Sequence, residues 1–118
     1  MQRAIGGWTY ILASEREGLL YTGATPDLVR RVQMHRQGLA SHYTRKHSVT
    51  RLVWYEPHQR LEGAALRSDL IRHCRRQWKI DLVTRANPEW LDLFEVMQML
   101  PEVPVWTTAW SDGTGPIR

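Results

Sequence analysis

The chain has 118 residues, the size of one domain, with 42% hydrophobic residues and a mean hydropathy of −0.46, the balance of a soluble globular protein. No apolar run approaches the ~20 residues of a transmembrane helix, residues 1–7 lack the apolar stretch of a signal peptide, and the single Cys74 excludes an internal disulfide and a cysteine-based zinc cluster. The formal charge is +4, with a pI of about 9.7.

The first elements are two short strands. Trp8 to Ala13 (WTYILA) is aromatic and aliphatic and reads as a strand. Ser14 to Gly18 is a polar turn, and Leu19 to Thr22 returns as the second strand of a hairpin. Thr25 is the expected N-cap of a helix that has Pro26 in its first position. That helix runs to about Gln37 and stops at Gly38. Leu28 and Val32 form its apolar stripe, with Arg31 and His35 at i, i+4 spacing on a flanking face.

Gly38 to Thr50 reads as a polar, basic loop, and Arg51 to Glu56 (RLVWYE) as a third strand. A helix is expected over Leu61 to Arg75, with Leu61, Ala64, Ala65, Ser68, Ile71 and Arg72 on one face. Gln77 to Val83 also reads as helical, and Asn87-Pro88 as the opening of a last helix. The order β-β-α-β-α-α-α predicts an α+β fold: a three-stranded antiparallel sheet flanked by helices. The expected domain spans 1–97, followed by a tail, 98–118.

Charge is distributed unevenly. No acidic residue lies between Asp27 and Glu56, where Arg30, Arg31, Arg36, Arg45, Lys46 and Arg51 fall. Arg67, Arg72, Arg75, Arg76 and Lys79 form a second basic cluster, while Ala86 to Ile117 contains neither Lys nor Arg. This pattern suggests a polyanion held on one face; a solvated basic surface is the plainer alternative.

Together these residues resemble the GIY-YIG nucleases, most closely the small single-domain members. Trp8-Thr9-Tyr10 corresponds to the first half-motif and Tyr21-Thr22-Gly23 to the second. Arg31 in "DLVRRVQMHR" falls on the family arginine, and His35 on another active-site position. "RLVWYE", "AALRSDLIRHCRRQWKIDLV" and "ANPEWLDL" follow in family order, so the similarity runs from about Trp8 to Val96.

The resemblance implies a metal-dependent DNA endonuclease using Mg²⁺ or Mn²⁺; with no signal-peptide stretch and no membrane span in the sequence, a cytoplasmic location and no membrane partner are the default expectation. Its catalytic residues would be Tyr10, Tyr21, Arg31, His35 and Asn87. One tyrosine would activate or position water, Arg31 would clamp phosphate oxygens, and Asn87 would cap a helix and help orient the site. Gly23 would let the backbone approach nucleic acid. Arg45, Lys46, Arg72, Arg75 and Arg76 would contact phosphates.

One position departs from the family pattern. Where the family carries its metal-binding glutamate, this chain has Ser68, preceded by Arg67. Serine offers no charge to a hard cation, and Asp69 lies ~100° further around the helix. Either this chain is an inactivated variant or its metal is held differently, and the alternative function is a nucleic-acid-binding module without catalysis. A structural or interaction protein on the same scaffold is a third reading. In the tail, Trp106 and Trp110 either pack back on the domain or stack on unpaired bases of single-stranded DNA.

Overall fold

The computed structural model describes residues 5–99; Trp106 and Trp110 lie outside the described residues. Three antiparallel strands form one sheet: β1 (Gly7–Ala13), β2 (Leu20–Thr25) and β3 (Arg51–His58), in the order β2-β1-β3. The helices are α1 (Leu28–Arg36), α2 (His42–His47), α3 (Leu61–Arg72), α4 (Arg76–Ala86) and α5 (Phe94–Met99). This is the expected α+β architecture.

The sheet separates two cores because successive side chains of a strand point to opposite faces. On one face, Ile11 and Ala13 of β1 join Val53, Trp54, Ile71, Val83 and Trp90 beneath α3 and α4. On the other, Tyr10 and Leu12 join Leu52, Tyr55, Leu28 and Val32, with Leu93, Phe94 and Met97 packed alongside. A register shift against β3 falls between Ile11 and Leu12. It makes Val53 the extra residue and places it beside Trp54 in the first core. Fully burying each aliphatic side chain of this kind contributes roughly 1.5–3 kcal/mol, so the central strand, buried on both faces, anchors the domain.

Several local expectations are corrected. β2 continues through Thr25, which pairs with Trp8. Thr25 does not cap α1: its Oγ1 accepts from Asp27 N at 3.1 Å, and Asp27 is the cap, accepting from Arg30 N at 3.2 Å. Gly38 does end the helix region, with φ of +77°.

The expected loop at 38–50 contains α2, whose N-cap Ser41 accepts from Thr44 N. α3 stops at Arg72, and its buried face is Ala64, Ser68 and Ile71, while Leu61, Ala65 and Arg72 are exposed. The chain leaves the helix there because Arg75 is extended and begins α4, where the Arg76 guanidinium donates to the carbonyls of Glu17 and Gly18. Asn87 closes α4 rather than opening a helix; the next helix begins at Phe94.

The turn between those helices covers the outer edge of β3. Leu93 N donates to Leu52 O at 2.7 Å, and Asp92 Oδ1 accepts from both Leu52 N and Phe94 N. An uncovered edge would present unpaired backbone groups to other chains.

Candidate functional site

The strand register places two tyrosines on the same face. Tyr10 pairs with Gly23, and Leu12 pairs with Tyr21, so the rings of Tyr10 and Tyr21 both stand on the α1 side, with centroids 6.2 Å apart. α1 crosses this face and buries Leu28, Val32 and His35. His35 therefore continues the apolar stripe, at the third step of an i, i+4, i+7 series, instead of flanking it. Its Nε2 lies 2.9 Å from the Tyr10 hydroxyl and its Nδ1 lies 2.9 Å from Thr44 Oγ1.

A layer of rings lies above this pair. Tyr21, half-buried, has its centroid 5.1 Å from that of His35 and stacks against Tyr43 of α2 at 6.5 Å and 28°. Tyr43 in turn meets His47 at 4.9 Å. Tyr10 is fully buried, whereas Tyr43 is 39% exposed. Arg31 is half-buried at the same place, and its charge acts on both Tyr10 and His35.

Burial sets the protonation states. It raises the Tyr10 phenol well above the ordinary range, and Tyr21 adds to this; Arg31 opposes it. Burial also lowers His35 from 6.5 to about 4, with the Arg31 charge as the second cause. Both groups are neutral at pH 7.

The depressed His35 value has a consequence for stability. Between its unfolded value of 6.5 and about 4, the unfolded chain takes up a proton at His35 and the folded chain does not. Stability therefore falls as pH drops through that window, by an amount on the order of 3 kcal/mol in the limit. Urea midpoints compared across this range are expected to fall more steeply for the parent than for His35→Gln. Parallel curves would show that His35 is not held neutral by the fold.

The other expected site residues are dispersed. Gly23 lies directly beneath the Tyr10 ring: a Cβ there would stand 2.7 Å from the hydroxyl oxygen. The space it leaves is occupied by Tyr10. Ser68 is 2% exposed on the buried face of α3, a helix that packs on the face of the sheet bearing Thr9 and Ile11; Thr9 Oγ1 donates to Ala64 O at 2.8 Å. Ser68 thus faces the sheet from the side opposite the tyrosine rings.

Asn87 is packed against β3, the edge opposite β2. Its Nδ2 donates to Val53 O and Leu91 O, and its Oδ1 accepts from Leu91 N. Arg72 and Arg76 are engaged within the fold, Arg72 Nε donating to Thr22 O at 3.1 Å. Arg45, Lys46 and Arg75 are exposed. Thr44 is buried at the center of the cluster and was not singled out from sequence. The available signal was Ser41, a good N-cap residue three positions earlier, which marks a helix where the polar composition suggested a loop.

Comparison with known proteins agrees with this architecture. A family model described as the GIY-YIG catalytic domain matches residues 6–81. A UPF0213 protein of Clostridium perfringens is 32% identical over 80 residues, covering 68% of this chain and 85% of the relative. A UPF0213 protein of Aeromonas salmonicida is 39% identical over 88 residues, covering 74% and 63%. A third, from Streptococcus agalactiae, is 28% identical over 85 residues, covering 72% and 96%. No solved structure matches the chain. With the family model matching most of the chain and the hairpin, α1 and β3 in place, the chain belongs to the GIY-YIG family, whose catalytic domain is a nuclease-type phosphodiesterase fold.

Proposed function

We propose that the chain is a DNA endonuclease in which Tyr21 meets the attacking water and Arg31 clamps a phosphodiester. The observation that carries this reading is the layered site on the α1 face: half-buried Tyr21 and Arg31 stand over the buried Tyr10–His35 pair. Tyr21 is the less buried of the two phenols, while buried Tyr10 keeps its proton and supports the site from below. Arg31 offers a planar fork of donors suited to phosphate oxygens. The exposed ring of Tyr43, beside Tyr21, suits an unpaired base, which favors a single-stranded substrate.

The family typically uses a divalent metal, here Mg²⁺ or Mn²⁺. The residues at the corresponding position do not fit one. Ser68 supplies a neutral hydroxyl, and exposed Asp69 faces Arg72 Nη1 at 3.5 Å. Among the described residues no group of three His, Cys, Asp or Glu side chains could hold a metal ion. Ser68 is also the observation that favors the second reading, a nucleic-acid-binding module without cleavage.

Labeled single- and double-stranded DNA and RNA, incubated with Mg²⁺, Mn²⁺ or EDTA, separate these readings. Cleavage of DNA is expected, fastest on single strands. Binding without cleavage, weakening with salt at a log–log slope of about −0.7 per neutralized phosphate on single strands, would establish the second reading. Neither binding nor cleavage would overturn both.

Ser68→Glu tests the metal position directly. A carboxylate at this buried site lacks solvent and must find a cation or destabilize the fold. The variant is expected to melt below the parent in EDTA and to recover with Mn²⁺, while the parent is indifferent to Mn²⁺. An equal response of both proteins to Mn²⁺ would remove position 68 from metal binding.

A further inference from the structure

We propose that Thr44 is a positioning residue that fixes the tautomer of His35 and thereby makes the Tyr10 hydroxyl a hydrogen-bond donor directed into the protein. The role refines the site assigned above and rests on that reading for its functional meaning, but not for its test.

Tyr10, His35 and Thr44 form a buried chain of hydrogen-bonding groups. Thr44 Oγ1 carries a single proton and has two neighbors, Ser41 O at 3.2 Å and His35 Nδ1 at 2.9 Å. Donation to the Ser41 carbonyl is a bond back along its own helix, and it leaves an oxygen lone pair pointing to His35. Nδ1 must then carry the hydrogen. A neutral imidazole has one N–H, so Nε2 is left as an acceptor. The group 2.9 Å from Nε2 is the Tyr10 hydroxyl, which donates to it.

The outer end of the chain is consistent with this direction. Arg31 can only donate, and its charge acts on the Tyr10 oxygen. Tyr10 therefore needs its proton turned inward and its lone pairs turned toward Arg31. In the order Tyr10 to His35 to Thr44 to Ser41, each donor meets one acceptor. Tyr10, His35 and Thr44 are all buried, where leaving one donor unmatched would be costly.

The consequence for the site is orientation. Tyr10 presents its acceptor side to Arg31, because Thr44 has decided the direction of every bond below. Thr44 belongs to α2, so this short helix, which also carries Tyr43 beside Tyr21, is tied into the site through His35.

The test is nitrogen NMR of the full-length chain labeled with ¹⁵N-histidine, at neutral pH. In the parent, His35 is expected to show a protonated Nδ1 and an unprotonated Nε2. Thr44→Ser keeps the hydroxyl and should preserve that pattern. Thr44→Val keeps the shape but offers no acceptor, and should shift His35 toward the Nε2–H form that free imidazole favors. If Thr44→Val does not fold, Thr44→Ala provides the same deletion with less bulk, and the parent spectrum decides alone if neither folds. An Nε2–H tautomer in the parent would overturn the proposal, as would an unchanged tautomer in a folded Thr44→Val. Neither readout depends on cleavage, so an inactive chain with the expected tautomer would count against the nuclease reading and leave the role of Thr44 standing.

Discussion

Arg31→Ala is expected to lower phosphodiester cleavage about 10²–10³-fold, the usual cost of deleting one preorganized electrostatic contact to the transition state. Arg31 is the cation closest in effect to the site: its charge reaches both Tyr10 and His35. Among the described residues no carboxylate pairs with it, so its donors are not committed to an acidic side chain and can meet a phosphate. Arg31→Lys should recover only part of the loss, because an ammonium cannot grip two oxygens at once. A second readout needs no substrate. Since Arg31 helps to hold the His35 pKa down, Arg31→Ala should raise it, as followed by NMR titration. A raised His35 value with undiminished cleavage would show that Arg31 is present at the site but not used on phosphate.

The strands and the tyrosines were legible because their signals are local. WTYILA and RLVWYE are rich in strand-forming residues, although the bulge at Val53 breaks the alternation of the second, and the hairpin turn is polar and closes with Gly18. Arg31 was also correctly brought near the tyrosines, since α1 follows the hairpin directly. His35 was harder. Its polarity placed it on a flank, although 28, 32 and 35 form one stripe; the two buried partners that satisfy its ring come from β1 and α2 and leave no trace in local periodicity. α2 was obscured because five of its six residues are polar or basic in composition around a single Tyr, and its cap is what marks it. Asn87 misled for a related reason. Asn before Pro is a good opening for a helix, yet here its amide is occupied by Val53 and Leu91 from outside any helix. The opposite placement of Ser68 and the tyrosine rings depended on which face of the sheet α3 covers, a tertiary fact.

Gly23→Ala is expected to destabilize the fold by about 1–3 kcal/mol, the range for forcing extra bulk into a packed interior. The sign is informative, because glycine weakens a strand interior and alanine should otherwise improve β2. The added methyl would stand 2.7 Å from the Tyr10 hydroxyl oxygen and 2.8 Å from its Cζ. The far end of a long side chain can normally move aside. Tyr10 has no such freedom, since its ring is fully buried and its hydroxyl is bonded to His35. The clash must therefore be relieved by breaking that bond or by separating β2 from β1. A double-mutant cycle with Tyr10→Leu isolates the cause, as contacting residues couple by about 0.5–3 kcal/mol. In the Tyr10→Leu background, Gly23→Ala should cost little or become stabilizing. If urea unfolding instead shows the same loss in both backgrounds, the constraint on Gly23 lies in its own backbone. Glycine in the second half-motif would then be required by the strand, and not by the tyrosine it faces across the sheet.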